Sequence, residues 1–300
     1  MSPVSEKSVS RKNGGVNLIG RDLEQYEKDA AELKKGLSQP EIAKINHILK
    51  RIENVSKYNG GKYKFTDIYT KDEINKFIRM HDGVISSKVD DYYQYKNYKL
   101  RVDLFEPSIF TDEYEISKLK TADKIRGHKE LSLLDIGAYN GDSTLILRNH
   151  FPNNPIYAFE AVPDFCNTIN ETMKLNDIQN VIPVNLALGD KEGRVPIKYG
   201  KFTGTTQMNT LDNFVNNNNI RVGLIKTDIE GAEWALLQGA IQTIREQKPT
   251  LIISIYHNYN DFFKIKPLID SWGLGYNFTF TDSCYGKYPI HEITLNCEVM

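Results

Sequence analysis

From residue 131 onward, short apolar runs alternate with segments of helical period, and no other feature of the 300-residue chain constrains its fold as tightly. The runs lie at 131–136, 155–159, 181–186, 223–227, 250–256, 276–281 and 293–299. Helix-period stretches at 143–150, 164–176, 233–247 and 262–272 separate most of them. Strands that alternate with helices of this length build βαβ units around a parallel sheet. The last two runs have no helix between them, which predicts an antiparallel hairpin at the sheet edge. Residues 194–199 predict a small extra strand. The expected class is α/β, doubly wound, over residues 130–300.

The first part of the chain has a different pattern. Residues 1–20 are polar, rich in Ser, Lys, Gly and Asn, and read as a flexible tail. Leu23, Tyr26, Ala30, Leu33 and Leu37 then recur three and four apart, one apolar stripe on a helix. Ser38-Gln39-Pro40-Glu41 has the form of a capping box with Pro40 in the first turn, and Ile42, Ile45, Ile48, Leu49, Ile52 and Val55 form a second stripe. Such a hairpin must bury its stripes on the rest of the chain or on a second copy, so a homodimer through these helices is one expected outcome. Asn59-Gly60-Gly61 is a break, and Thr70-Lys71-Asp72-Glu73 opens a further helix containing Ile74, Phe77 and Ile78. Residues 21–129 are thus expected to be mainly helical. The DDYYQYKNY segment at 90–98 reads as amphipathic packing with hydroxyls at the surface, with stacking on a sugar ring as the alternative.

Composition narrows the partners. Hydrophobic residues at 40% and charged residues at 26% permit a sizeable core. A formal net charge of -1, without a basic stripe, argues against nucleic acid. Cys166, Cys284 and Cys297 fit no zinc spacing and form no complete disulfide framework, as in a reducing compartment. No apolar signal region opens the sequence and no run of 18 apolar residues occurs. A cytoplasmic location without a membrane span is expected.

The residues after the first strand carry the chemistry. Asp135-Ile136-Gly137-Ala138-Tyr139-Asn140-Gly141-Asp142-Ser143 is a strand tip, a glycine turn and a helix start, a place where a ligand can approach backbone N–H groups. Glu160 ends the second strand, 25 residues after Asp135, where an acid can accept two ribose hydroxyls. A dinucleotide fingerprint needs G-x-G-x-x-G, whereas this turn has Gly137-x-x-x-Gly141 and an acid at the strand tip, which a pyrophosphate should avoid. S-adenosylmethionine brings an ammonium and a sulfonium together with one carboxylate, and suits this turn better. Its expected contacts are Asp135, Gly137, Ala138, Tyr139, Asn140, Gly141, Ser143, Glu160 and Ala161, with Asn185 or Ala187 at the third strand tip beside the base.

A second acid cluster, Lys226-Thr227-Asp228-Ile229-Glu230-Gly231-Ala232-Glu233, ends the fourth strand. The segments DIGAYNG, AFEAV, TLD at 210–212, KTDIEGAEWALLQGA and KPTLIISIYH together resemble FkbM-type methyltransferases, over roughly residues 130–299. That resemblance implies the seven-stranded class I methyltransferase sheet (Rossmann-like) in the order 3-2-1-4-5-7-6. It implies S-adenosylmethionine as cofactor and a hydroxyl acceptor, often a sugar of a glycan or a small metabolite. It also implies that Asp135, Gly137, Asn140, Glu160 and Asp228 line the cofactor cleft. The chain departs from the family in two places. Glu160 is followed by Ala161-Val162-Pro163 rather than directly by proline, and the fifth strand leads into Tyr256-His257-Asn258 rather than into an acid.

A sugar hydroxyl is a poor nucleophile until it begins to lose its proton, so a general base is expected. His257, Asp228 and Glu230 are the catalytic candidates, with His257 favoured because it titrates near neutral pH. Magnesium or calcium on the acids is an alternative, and no metal ligand is assigned. Rival functions are an NAD-dependent oxidoreductase or epimerase on a nucleotide sugar, and a non-catalytic adaptor.

Overall fold

The computed structural model describes residues 23–56, 64–200, 202–283 and 290–300. The expected tail, the Asn59-Gly60-Gly61 break and Cys284 lie outside these. Seven strands form the central sheet, numbered here along the chain: β1 (Ser132–Ile136), β2 (Ile156–Glu160), β3 (Val181–Asn185), β4 (Val222–Thr227), β5 (Thr250–Ser254), β6 (Asn277–Asp282) and β7 (Ile293–Glu298). Their spatial order is β3-β2-β1-β4-β5-β7-β6, the order the resemblance implies. The first five are mutually parallel, and β7 runs antiparallel to both β5 and β6. Every residue of β1, β4 and β5 is buried, because helices cover both faces. Alternate side chains feed two cores. Leu134, Ile136, Ile225, Leu251 and Ile253 face one layer, and Leu133, Leu224 and Ile252 face the other.

Each expected strand boundary holds to within two residues. The expected helix over 233–247 is instead two, Glu233–Gln238 and Ile241–Gln247. Gly239 at the junction packs so closely that a Cβ there would lie 2.0 Å from the Gly189 carbonyl oxygen. Its own carbonyl accepts the Asp212 N–H, and the Asp212 carboxylate accepts the N–H groups of Gln242 and Thr243 at 3.0 and 2.7 Å. Asp212 of the TLD segment therefore caps a helix that begins about thirty residues later, while Thr210 caps its own. The extra strand spans Gly193–Tyr199 and pairs with Phe202–Asn209, a strand the sequence pattern does not reveal.

The N-terminal region is less purely helical than expected. Residues of the DDYYQYKNY segment build a three-stranded sheet of Ser87–Val89, Tyr92–Tyr95 and Tyr98–Leu100. Tyr95 and Tyr98 are buried against Phe110, so the segment packs. Helices Leu23–Lys34 and Gln39–Ser56 do bury their stripes, through Ala30, Leu33, Ile45, Ile48 and Ile52, in the core of the catalytic sheet. Their apolar stripes thus no longer require a second copy.

These helices also guard an edge. Among the described residues, strand β6 pairs only with β7, which leaves one row of its backbone groups open, a template for aggregation. Glu41 accepts the Phe280 N–H at 2.8 Å, Lys44 reaches the Phe280 carbonyl, and Lys76 donates to the Asp282 carbonyl at 3.1 Å. Arg51, 2% exposed, pairs with the Asp282 carboxylate. Removal of residues 1–60 should therefore lower the thermal midpoint and expose the β6 edge, with light scattering reporting aggregation. Glu41→Ala should destabilise by about 1–3 kcal/mol in denaturant titrations, because it strands the Phe280 N–H. A soluble truncation as stable as the full chain would remove the guarding role.

Candidate active site

The site forms where β1 and β4 lie side by side and their following turns diverge, the crevice in which open α/β sheets bind ligands. The two turns touch. Gly137 has φ +78°, and a Cβ there would lie 1.9 Å from the Asp228 carbonyl oxygen, so only glycine fits. Glu160, at the tip of β2, accepts the Tyr139 N–H at 3.0 Å and the Val162 N–H at 2.8 Å. These bonds tie the glycine turn to the next strand, and the reshaped Ala161-Val162 turn supplies one of them. The Glu160 carboxyl lies above its usual range, since burial outweighs the backbone donors.

Beneath the turn sits a buried ion pair. The Lys226 ammonium lies 3.1 Å from Asp135 and donates to the Gly137 carbonyl at 3.2 Å. Asp135, fully buried, also accepts from Ser143 and Thr144. Burial acts to depress the Lys226 pKa, but Asp135, Asp228 and Asp142 together hold it above the ordinary value.

Past β4 the chain turns through Asp228, Glu230 in a left-handed conformation (φ 57°) and Gly231. Glu233, fully buried, folds this turn by accepting the N–H groups of Ile229 and Gly231 at 2.8 and 2.9 Å. His257, just beyond β5, lies between two acids. Its Nε2 is 3.1 Å from Asp228 Oδ1, and its Nδ1 is 3.2 Å from Glu233 Oε1. Both acids thus hold the ring in ion-pair contact from opposite sides. Burial favours the neutral ring, yet Asp228 and Glu233 outweigh it and push His257 up to about 11. Burial likewise acts to raise Asp228, but His257 and Lys226 bring it down to about 2. Tyr256 donates to Asp228 Oδ2 at 3.2 Å and stacks on the His257 ring.

Above these groups opens a cleft of about 470 Å³. Of the expected residues, Gly137, Tyr139, Glu160, Ala161, Ala187, Asp228 and Glu230 line it. Asp135, Ala138, Asn140, Gly141, Ser143 and Asn185 are not among its lining residues. Asp135 and Ser143 are spent on each other and on Lys226. Asn140 accepts the Asp142 N–H, Ala138 and Gly141 lie inside the folded turn, and Asn185 donates to the Glu160 and Ala161 carbonyls instead of facing a ligand. His257 is also behind the wall. Asp228 and Glu233 favour the charged form of the ring, which counts against its expected role as base.

Several lining residues went unread. Asp142 is buried and pushed up to about 7, chiefly by desolvation, with the Lys226 charge opposing. Its place beside Gly141 in the motif was the available signal. Tyr139, Phe165 and Tyr199 cluster at the mouth with centroids 4.5–6.0 Å apart. Ile109 and Tyr114, from the N-terminal region, complete the wall, and no local pattern marks them.

Against this geometry, a family model described as a methyltransferase FkbM domain matches residues 203–278. The chain is similar to the FkbM methyltransferases. A relative named methyltransferase 1, from Beauveria bassiana (strain ARSEF 2860), is 24% identical over 222 residues, covering 61% of this chain and 86% of that one. The crystal structure of methyltransferase FkbM from Methylobacillus flagellatus KT is 19% identical with a TM-score of 0.49. That alignment covers 75% of this chain, which spans only 59% of the other. An rRNA methylase from Streptococcus thermophilus aligns at 13% identity and TM-score 0.36, over 59% of this chain and 93% of its own. The FkbM match and the curated relative support a methyltransferase. The exclusion of nucleic acid, read from net charge alone, gains no support. Among the described residues no helix is long and apolar enough to cross a membrane.

Asp142 supplies a pH test. Its folded pKa of about 7 stands above the ordinary aspartate value of 3.8, so the native state binds this proton more tightly than the unfolded one. Below the unfolded pKa the group is protonated in both states and costs nothing. Between about pH 4 and 7 its burial should remove on the order of 4 kcal/mol of stability. Asp142→Asn should therefore gain stability relative to the parent as pH rises from 4 to 8 in urea titrations. An unchanged difference across that range would place the charge elsewhere.

Proposed function

We propose that this protein is an S-adenosylmethionine-dependent methyltransferase that methylates a hydroxyl of a sugar, a glycan or a related small metabolite. The observation that carries the reading is the charge of the cleft. Asp142, Glu160, Asp228 and Glu230 line it against only Lys198 and Lys226. Such a wall suits a ligand with ammonium and sulfonium groups and repels the pyrophosphate of a dinucleotide, which disfavours the NAD-dependent alternative.

The residues present fit the cofactor. Glu160 keeps unused lone pairs toward the cleft while its backbone donors fix its direction, as a ribose acceptor requires. Ala161, Val162, Leu186, Ala187 and Leu188 provide an apolar wall for a base. When bound, the cofactor supplies a methyl group for in-line displacement by the acceptor oxygen. The carboxylate best suited to take the hydroxyl proton is Glu230. It lines the cleft, and its side chain is 68% exposed at the mouth, so its carboxylate can reach an acceptor. Asp228, paired with His257 and Tyr256, is a weak base and instead orients the acceptor. The aromatic trio of Tyr139, Phe165 and Tyr199 offers flat faces to the acceptor ring.

Calorimetry with S-adenosylhomocysteine and NAD side by side tests the cofactor. The former should bind and the latter should not. Glu160→Ala should weaken S-adenosylhomocysteine by roughly tenfold to a hundredfold, the worth of a hydrogen bond to a charged group. An unchanged affinity removes Glu160 from the ribose.

Chemistry is tested separately, by methyl incorporation into nucleotide sugars and glycans. Glu230→Gln should lower turnover by about a hundredfold or more with cofactor affinity little altered. Near-normal turnover in that variant would move the base to another group.

A further inference from the structure

Tyr114 brings a hydroxyl to the cleft and leaves it unused. The residue is 6% exposed and lines the cleft, and among the described residues its hydroxyl has no hydrogen-bond partner. A buried polar group without a partner is unfavourable and rare in a native fold. The backbone that delivers it is strained as well. Glu113, Tyr114 and Glu115 have φ 48°, 54° and 53°, the left-handed region that residues with side chains seldom enter and then singly. Bonds on either side hold the segment there. Glu113 meets His150 Nε2 at 2.7 Å, Ser108 donates to Glu292 at 3.1 Å, and Lys76 pairs with Asp112 at 3.4 Å. Strain that persists because its surroundings enforce it gathers at ligand clamps.

The hydroxyl stands over the glycine turn. The Lys226 ammonium, which holds the Gly137 carbonyl, lies 5.7 Å from the Tyr114 ring centroid. Asp142 opens the helix after that turn, lines the same cleft, and accepts the Ser143 N–H at 2.6 Å. Lys226 is matched by Asp135 at 3.1 Å, and among the described residues Asp142 forms no ion pair. The backbone donors that could receive an anion here are spent. The N–H groups of Gly137, Ala138 and Gly141 go to backbone carbonyls, and those of Tyr139, Asp142 and Ser143 go to side chains. A phenol oxygen and a carboxyl on one dry space, beside a turn without donors to spare, suit a small cation. With Glu160 on the ribose, the amino-acid end of the cofactor falls at this turn.

We propose that Tyr114 and Asp142 seat the ammonium of the cofactor's amino-acid end, the hydroxyl accepting one of its N–H groups and the carboxylate another. The proposal rests on the S-adenosylmethionine reading and assigns part of that site to the N-terminal region. Burial pushes Asp142 up to about 7, Lys226 and the Ser143 N–H oppose it, and Asp135 and Glu106 add to the rise. An ammonium in the seat favours the ionised carboxylate, so binding below that pH releases a proton.

The test uses the full-length protein and two ligands, S-adenosylhomocysteine and its analogue with hydrogen in place of the amino group. In calorimetry the parent should prefer S-adenosylhomocysteine by about tenfold or more, the worth of a hydrogen bond to a charged group. Tyr114→Phe and Asp142→Asn should each lose about tenfold on S-adenosylhomocysteine and little on the analogue. At about pH 6 the parent should release roughly one proton per bound S-adenosylhomocysteine, read from heats in buffers of different ionisation enthalpy, and Asp142→Asn none. Tyr114→Phe should not lower the thermal midpoint, because it removes a hydroxyl without a partner. If Asp142→Asn fails to fold, Tyr114→Phe decides alone. Equal affinity of the parent for the two ligands overturns the proposal. So does parental S-adenosylhomocysteine affinity in a folded variant, or a loss shared by both ligands. Each of these leaves the cofactor reading standing, since S-adenosylhomocysteine still binds the parent. Failure of the parent to bind it at all sinks that reading and this proposal with it.

Discussion

The Lys226 ammonium is the charge on which the site depends. It stands on β4 beside β1, fully enclosed, and its partners come from β1, the glycine turn and the helix that follows. A cation there is tolerable only because Asp135 neutralises it and polar groups complete its shell. The same arrangement explains why the turn can be so tight. With Lys226 drawing in the Gly137 carbonyl and Glu160 drawing in the Tyr139 N–H, the loop is fastened from below and from the side. Its remaining exposed surface is the cleft floor.

Around that point the acids divide into two kinds. Asp135, Glu233 and, through its backbone donors, Glu160 are committed to holding chain segments in place. Asp228, Glu230 and Asp142 line the cleft and carry perturbed protonation. Low dielectric couples them, so a change in one charge is felt by the others. His257 is the counter-charge that lets Asp228 stay ionised next to Glu230.

Much of this was legible before the structure. The strand runs, the sheet order implied by the motifs and the ends of β1, β2 and β4 follow from periodicity and spacing, because such signals are local. The roles of individual acids were less legible. Asp135 and Glu160 look alike in sequence, as acids ending consecutive strands, yet one is a sealed ion-pair partner and the other reaches the cleft. The difference is set by Lys226, ninety-one residues after Asp135 and invisible to local pattern. The charge of His257 was illegible for the same reason: two acids from the neighbouring turn set it. Tyr114 was missed because it arrives from a region without motif, on a turn of left-handed residues.

The guarding of β6 by Glu41, Lys44 and Arg51 ties together segments more than 230 residues apart. On a ribosome the two amphipathic helices emerge well before the strands they cover. They must wait, apolar stripes exposed, while the whole sheet is synthesised. Contacts of such long sequence separation are late and slow to form. Where the second helix meets β6, it forms a clasp that joins an early helix to the far edge of the sheet.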